Sequence, residues 1–292
     1  MTTTTTRPKR NKWSILALLL VLGILAVAGV WLLRRQLRVL YYQGRAILAS
    51  DSVNNDGDFH NILFIHHSTG RGLIADGAVR EQFTAAGYDF WDMDYNYLGL
   101  TNAQGERTGY TYFIPDDNTD PDGYAALFSQ TLYEQPRNAF SGIMQHQVII
   151  FKSCFPTSDI RDEAQLAAYQ AYYRQIRDVI DQYPDHLFIV MTPPPLEASN
   201  TTPENAGRAR AFANWLASDE FLAGHPNLAT FDFFNLLAGD DPDAPDFNML
   251  RTAYQHGGGD SHPNKEANET IGPLFAAFVL QTIESYRPFY PG

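Results

Sequence analysis

Two short stretches hold the side chains best suited to chemistry. "HHSTG", His66 to Gly70, sets a serine hydroxyl and two imidazoles at the end of an apolar run. "GGGDSHPN", Gly257 to Asn264, sets a carboxylate and an imidazole two positions apart in a glycine-loosened loop. A serine hydroxyl is a weak nucleophile until a base takes its proton, and the base needs a carboxylate to orient it. Ser68, His262 and Asp260 supply those three groups. They form one site only if the fold joins two segments from opposite ends of the chain. Ser68 alone suits a helix cap equally well, because Thr69-Gly70 reads as the turn into a helix. Adjacent strand residues point to opposite faces, so of His66 and His67 one turns toward the core and one is a candidate pocket residue.

The elements that must position these residues follow from hydrophobic patterning. Apolar, β-branched runs at Asn61–His66, Tyr88–Asp92, Gln147–Phe151, Leu187–Thr192 and Ala229–Phe233 read as strands. Between them lie helical patterns at Leu73–Ala85, Tyr124–Tyr133, Ile160–Tyr183 and Pro203–Ala217, with a last helix from Lys265 to Tyr286 that Gly272-Pro273 should kink. Ser158 or Asp159 is the expected cap of the third helix, and Thr202 before Pro203 and Glu204 that of the fourth. Asn96–Pro121 is polar and rich in Gly, Asp and Asn, and reads as a long surface loop. Strands alternating with helices predict an α/β fold, a three-layer α/β/α sandwich around a mainly parallel five-stranded sheet. Ligands of such sheets bind beyond the carboxyl ends of the strands, where Ser68 stands.

The chain has 292 residues, enough for one large domain and an appendage. The appendage is the N-terminus. Positions 1–12 are threonine-rich and basic, and Trp13–Leu33 is an apolar run long enough to span a bilayer, with Trp13 and Trp31 near its ends. Ala26-Val27-Ala28 resembles a signal-peptide cleavage site, but the apolar run continues to Leu33 and favours a retained anchor. Four basic residues precede the span and Arg34, Arg35 and Arg38 follow it, a bias that sets the N-terminus in the cytoplasm. Positions 34–57 are a juxtamembrane segment and linker, and 58–292 an extracytoplasmic domain. From Asp51 onward 13 basic face 33 acidic side chains, a formal charge of −20, which excludes nucleic-acid binding. The lone cysteine, Cys154, excludes an internal disulfide and reads as a small buried apolar residue.

With these residues in view, the chain resembles the SGNH/GDSL superfamily of serine esterases and lipases. "HHSTG" stands where that family has a Gly-Asp-Ser-like block after the first strand, and "DSHPNKEAN" resembles its Asp-x-x-His block before the last helix. The resemblance implies Ser68 as nucleophile, His262 as base, Asp260 as its orienting carboxylate, and no cofactor. It implies oxyanion donors at Ser68, Gly99 in "NYLGLTN" and Cys154, and a small-molecule, lipid or glycan ester as substrate. Two departures stand out. Asp260 is two residues before His262 instead of three, and "VIIFKSCFPTSDI" lacks the asparagine of the family's third block.

Two rival chemistries use the same residues. His66, His67, His256, Asp260 and His262 form a ligand pool for a metal-dependent hydrolase, although no fixed metal-binding spacing is present. A non-catalytic binding domain could also occupy this scaffold, since fold does not fix function. Trp91, Tyr95 and Tyr97, near a predicted strand end, are candidates to stack on a sugar or to pack as ordinary aromatics.

Overall fold

The computed structural model describes residues 18–31, 33, 34, 41, 53, 57–115, 120–134 and 136–289. The chain divides into two units, Met1–Tyr42 and Gln43–Gly292. In the first, residues 18–31 are helical with exposed apolar side chains. Among the described residues no helix is long and apolar enough to cross a membrane. Positions 13–17 and 32 of the expected span lie outside the described residues, as do 1–12 and most of 34–57.

In the second unit the described residues build a six-stranded sheet: β1 (Asn61–Ile65), β2 (Asp89–Met93), β3 (Leu100–Thr101), β4 (Val148–Lys152), β5 (Leu187–Met191) and β6 (Leu228–Phe231), in the order β3-β2-β1-β4-β5-β6. Five strands run parallel, and β3 pairs antiparallel with β2 through Asp92↔Thr101 and Met93↔Leu100. The sheet therefore has one more strand than expected. Its extra strand falls inside Asn96–Pro121, and two residues are too few to leave an alternation signal in a polar segment.

Buried on both faces, β1, β4 and β5 read as continuous apolar runs because their alternate side chains enter two different cores. Leu63, Ile65, Ile149, Phe151, Phe188 and Val190 meet α3 (Pro121–Phe128), α4 (Ala139–Ile143), α5 (Glu163–Ile180) and α6 (Pro203–Leu216). Phe64, Val148, Ile150 and Ile189 meet α1 (Ser68–Ala75), α2 (Val79–Ala85), α8 (Phe233–Leu237) and α9 (Lys265–Tyr286) on the other face. The short α7 (Asp219–Leu222) precedes β6. The result is the expected three-layer α/β/α arrangement.

Several boundaries differ for identifiable reasons. Leu73–Ala85 is two helices, because the chain breaks at Gly77-Ala78, where Ala78 takes φ 52°. The cap of α5 is Asp162, which accepts from the Gln165 amide at 2.8 Å. Ser158 and Asp159 are used elsewhere. Ser158 Oγ donates to the Pro194 carbonyl, and Asp159 accepts from Thr201 and Asn205. Thr202 caps α6 as expected. Helix α9 is continuous through Pro273.

Chain direction makes the site. After β1 the chain crosses to β2 and β3, then returns to β4 on the other side of β1. The carboxyl ends of β1 and β4 thus flank a topological switch point, where a crevice opens in sheets of this kind.

Candidate active site

Ser68 is the first residue of α1, directly beyond β1, and His262 lies in the loop that enters α9. The two helices pack on the same face of the sheet, and their glycines set the separation. A Cβ on Gly272 of α9 would stand 2.4 Å from the Gly77 carbonyl oxygen, and one on Gly72 of α1 would stand 2.6 Å from Asn268 Nδ2. That approach brings the distant segments together. His262 Nε2 lies 2.7 Å from Ser68 Oγ, and His262 Nδ1 lies 2.6 Å from Asp260 Oδ1.

The hydrogens follow from the partners. Asp260 accepts, so Nδ1 carries the proton, Nε2 is left as an acceptor, and Ser68 donates to it. Asp260 Oδ1 also accepts the His262 backbone N–H at 3.0 Å. This local ring accounts for the two-residue spacing: one carboxylate oxygen binds both the amide and the imidazole of the same residue. The His262 amide first, then its ring, hold the Asp260 carboxyl below its ordinary value. Both side chains are about half exposed.

Each glycine of Gly257–Gly259 has a positive φ, between 72° and 85°, which side chains rarely tolerate and which folds the loop back on itself. Ser261 Oγ accepts from the Glu197 amide at 3.0 Å and from Asn200 Nδ2 at 2.9 Å, pinning the loop to the segment after β5. Asn264 then caps α9 by accepting from the Ala267 amide at 3.0 Å.

Ser68 makes no capping hydrogen bond. The residue at the cap position is His67, so the cap reading of Ser68 is corrected. His66 and His67 are both buried. His66 Nδ1 contacts the His67 carbonyl at 2.8 Å and its Nε2 contacts Asp92 at 3.2 Å, while Arg80 binds the other oxygen of Asp92. Burial would raise the Asp92 carboxyl, but His66 and Arg80 together hold it below its ordinary value. His66 is thus a strut beneath the nucleophile. His67 packs against the Tyr95 ring at 4.5 Å.

Gly99 does not supply a free amide. Its N–H donates to the Tyr95 carbonyl at 2.9 Å, and its φ of 78° and its approach to the Tyr110 carbonyl fit a tight turn that excludes a side chain. The N–H expected as an oxyanion donor is thus used within the turn. Cys154 is buried on the loop after β4, where its carbonyl accepts from Thr157 N and Oγ1. Ser153 is bound to the Tyr173 hydroxyl at 2.8 Å. Trp91 is buried in the core and presents no stacking face to a sugar.

Sequence reasoning misses Phe155 and Lys152, and reads Tyr95 only as a stacking or packing aromatic. Phe155 stands edge-on to the His262 ring at 5.3 Å. Tyr95 points its hydroxyl at Ser68 Oγ from 3.4 Å. Lys152, at the carboxyl end of β4, is fully buried; burial pushes its ammonium down, with Cys154 and Asp94 pulling the other way. No spacing rule could have joined these to the triad, since Tyr95 follows β2 whereas Lys152 ends β4 and Phe155 lies just beyond it. Among the described residues, no three of the His, Cys, Asp and Glu side chains group so as to hold a metal ion.

No protein-family model and no curated protein matches the sequence. Among solved structures, the chain is similar to a Bacteroides fragilis protein described as a "putative acylhydrolase", with 11% identity, 82% of this chain and 96% of that chain covered, and a TM-score of 0.48.

Proposed function

We propose that this protein is a serine hydrolase of carboxylic esters, related to the SGNH/GDSL superfamily and held at a membrane by its N-terminal segment. The observation that carries the reading is the continuous Asp260–His262–Ser68 chain, with links of 2.6 and 2.7 Å. A carboxylate, an imidazole and a hydroxyl in that order are the parts of a nucleophile activated by general base.

In the proposed reaction Ser68 Oγ attacks the ester carbonyl carbon while its proton passes to His262 Nε2. The carbonyl becomes a tetrahedral oxyanion beside the amino end of α1, where the N–H of Ser68, which has no partner within the helix, and the helix dipole favour negative charge. The Cys154 amide is the second backbone candidate. Collapse breaks the ester C–O bond, and the departing alcohol takes the proton from Nε2. Water then gives a proton to Nε2 and attacks the acyl-serine, and the second collapse returns that proton to Ser68 and frees the acid. Asp260 holds the Nδ1–H tautomer and stabilises the imidazolium in both steps.

The half-exposed triad and the exposed Tyr97 leave the site open to a substrate presented from solution or from a surface. A glycan O-acyl group or a lipid-like ester is the proposed substrate class. The anchor is proposed from the apolar run at Trp13–Leu33, with the N-terminus in the cytoplasm.

The test is hydrolysis of p-nitrophenyl acetate by the full chain in detergent, beside Ser68→Ala and His262→Ala. Activity lost in both variants supports the serine reading. A folded, inactive wild-type chain would favour a binding domain.

A further inference from the structure

We propose that Tyr95 is the side-chain donor of the oxyanion hole, a catalytic residue that takes the place of the family's third-block asparagine. The proposal rests on the serine-hydrolase reading above.

The stretch after β4, where that asparagine would be expected, offers no free side-chain donor. Ser153 is committed to the Tyr173 hydroxyl, Cys154 carries only a weak thiol donor, and Phe155 presents a ring edge to His262. The Gly99 amide is committed to the Tyr95 carbonyl. Ser68 Oγ itself has two side-chain partners, His262 at 2.7 Å and Tyr95 at 3.4 Å. They play different parts. His262 Nε2 receives the serine proton, and the Tyr95 hydroxyl donates toward the serine oxygen while making no other hydrogen bond among the described residues.

A bond of 3.4 Å is long for two hydroxyls and contributes little in the resting state. That suits a group whose work comes later. Once Oγ bonds to the carbonyl carbon, the oxyanion and Oγ share that carbon and lie one O–C–O angle apart. A hydroxyl aimed at Oγ from 3.4 Å can then meet the oxyanion at a normal donor distance, where the negative charge makes the bond strong. An interaction that strengthens on the way to the transition state lowers the barrier instead of merely tightening substrate binding.

The ring is held in place for this role. Its face lies against buried His67 at 4.5 Å and stacks on Tyr97 at 5.6 Å and 17°. The Tyr95 amide donates to Asp94 Oδ1 at 2.8 Å, and its carbonyl accepts the amides of Leu98 and Gly99 at 2.8 and 2.9 Å. Asp94 is in turn fixed by Arg71, which leaves α1 three residues after Ser68. Nucleophile and hydroxyl are thereby tied to one another through Arg71 and Asp94, so the turn after β2 moves with α1.

The experiment compares Tyr95→Phe, Tyr133→Phe and Ser68→Ala with wild type, using the full chain, p-nitrophenyl acetate as substrate and an aryl trifluoromethyl ketone as inhibitor. The ketone forms a hemiketal oxyanion on an active serine, so it reports the hole directly. Tyr95→Phe keeps the ring and its packing, and it is expected to lower kcat about 10²–10³-fold with KM nearly unchanged. Ketone affinity should fall by a similar factor, with the melting temperature unchanged and Tyr133→Phe behaving as wild type. With Ser68→Ala inactive, a Tyr95→Phe enzyme within about threefold of wild type in kcat and ketone affinity overturns the assignment. Equal losses in Tyr95→Phe and Tyr133→Phe also overturn it, since Tyr133 is an exposed residue beyond α3, outside the site. Full activity in Ser68→Ala would instead bring down the serine reading, and the Tyr95 role with it.

Discussion

Gly272→Ala should cripple catalysis from a position that touches no reacting group. The added methyl would stand 2.4 Å from the Gly77 carbonyl oxygen and 2.5 Å from the Gly77 Cα, where ordinary contact begins at 3.4 Å. Both obstacles are backbone, so α9 and the α1–α2 turn must part by most of an ångström. Ser68 begins α1, and His262 stands two residues before Asn264, the cap of α9. The same displacement therefore stretches the 2.7 Å Ser68–His262 bond to beyond about 3.4 Å, the edge of useful geometry. A misplacement of about 1 Å costs roughly 10²-fold in rate, equivalent to about 2.7 kcal/mol of barrier.

Stability moves less, because two effects oppose. Replacing glycine inside a helix gains about 0.5–1 kcal/mol, while overpacking costs about 1–3 kcal/mol. The net loss of about 1 kcal/mol corresponds to a fall of about 2–4 °C in Tm for a domain of this size. The assay is p-nitrophenyl acetate turnover with a thermal melt on the same preparation. Gly207→Ala in α6, whose Cβ would meet nothing closer than 3.8 Å, is the control that should keep full activity. A folded Gly272→Ala chain with wild-type kcat would refute the claim that this glycine contact spaces nucleophile and base.

Three further outcomes follow from the same geometry. Asp260→Asn should lower kcat about 10²-fold, less than the ~10⁴-fold loss for a buried triad carboxylate, because water reaches this half-exposed pair and screens it; stopped-flow acylation of Ser68 is the readout. Asp92 is held below its ordinary value in the folded chain by His66 and Arg80, so its stabilising contribution is present above about pH 4 and is lost as pH falls through the lowered folded value; urea unfolding between pH 6 and 3 should show this loss, and Asp92→Asn should flatten it. Lys152→Met should raise stability at pH 7 by about 1–3 kcal/mol in urea melts, because it replaces a fully buried amine whose charged form burial disfavours. Since the folded Lys152 binds its proton less readily than the unfolded chain does, that gain should shrink as pH rises toward the ordinary lysine value.

The parallel strands were legible because both their faces are buried: "NILFI", "VIIFK" and "LFIVM" are apolar throughout. The bounds of α9, Lys265–Tyr286, could be read from the Asn264 cap and the helical apolar spacing. Ser68, Asp260 and His262 could be named because proton transfer needs those residue types, and the fold brings them within hydrogen-bond reach. What stayed hidden depends on tertiary contact. The break between α1 and α2 at Gly77 answers to Gly272 on a helix almost the whole domain away, and no local pattern carries that. Strand β3 is two residues long and is held only by tertiary pairing, with β2 on one side and an Arg107 bridge on the other. Gly99 matched a motif position by residue type, yet its amide is consumed by a turn that only the folded chain reveals. Tyr95 and Phe155 became neighbours of the triad through the convergence of separate loops at the sheet edge.

The central claim is an activated serine at position 68, and covalent labelling tests it most directly. The full chain in detergent, treated with a fluorophosphonate probe and digested for mass spectrometry, is predicted to carry the adduct on Ser68. The adduct should be absent in Ser68→Ala and strongly reduced in His262→Ala. A folded wild-type chain left unlabelled at Ser68, or labelled equally without His262, would contradict the account.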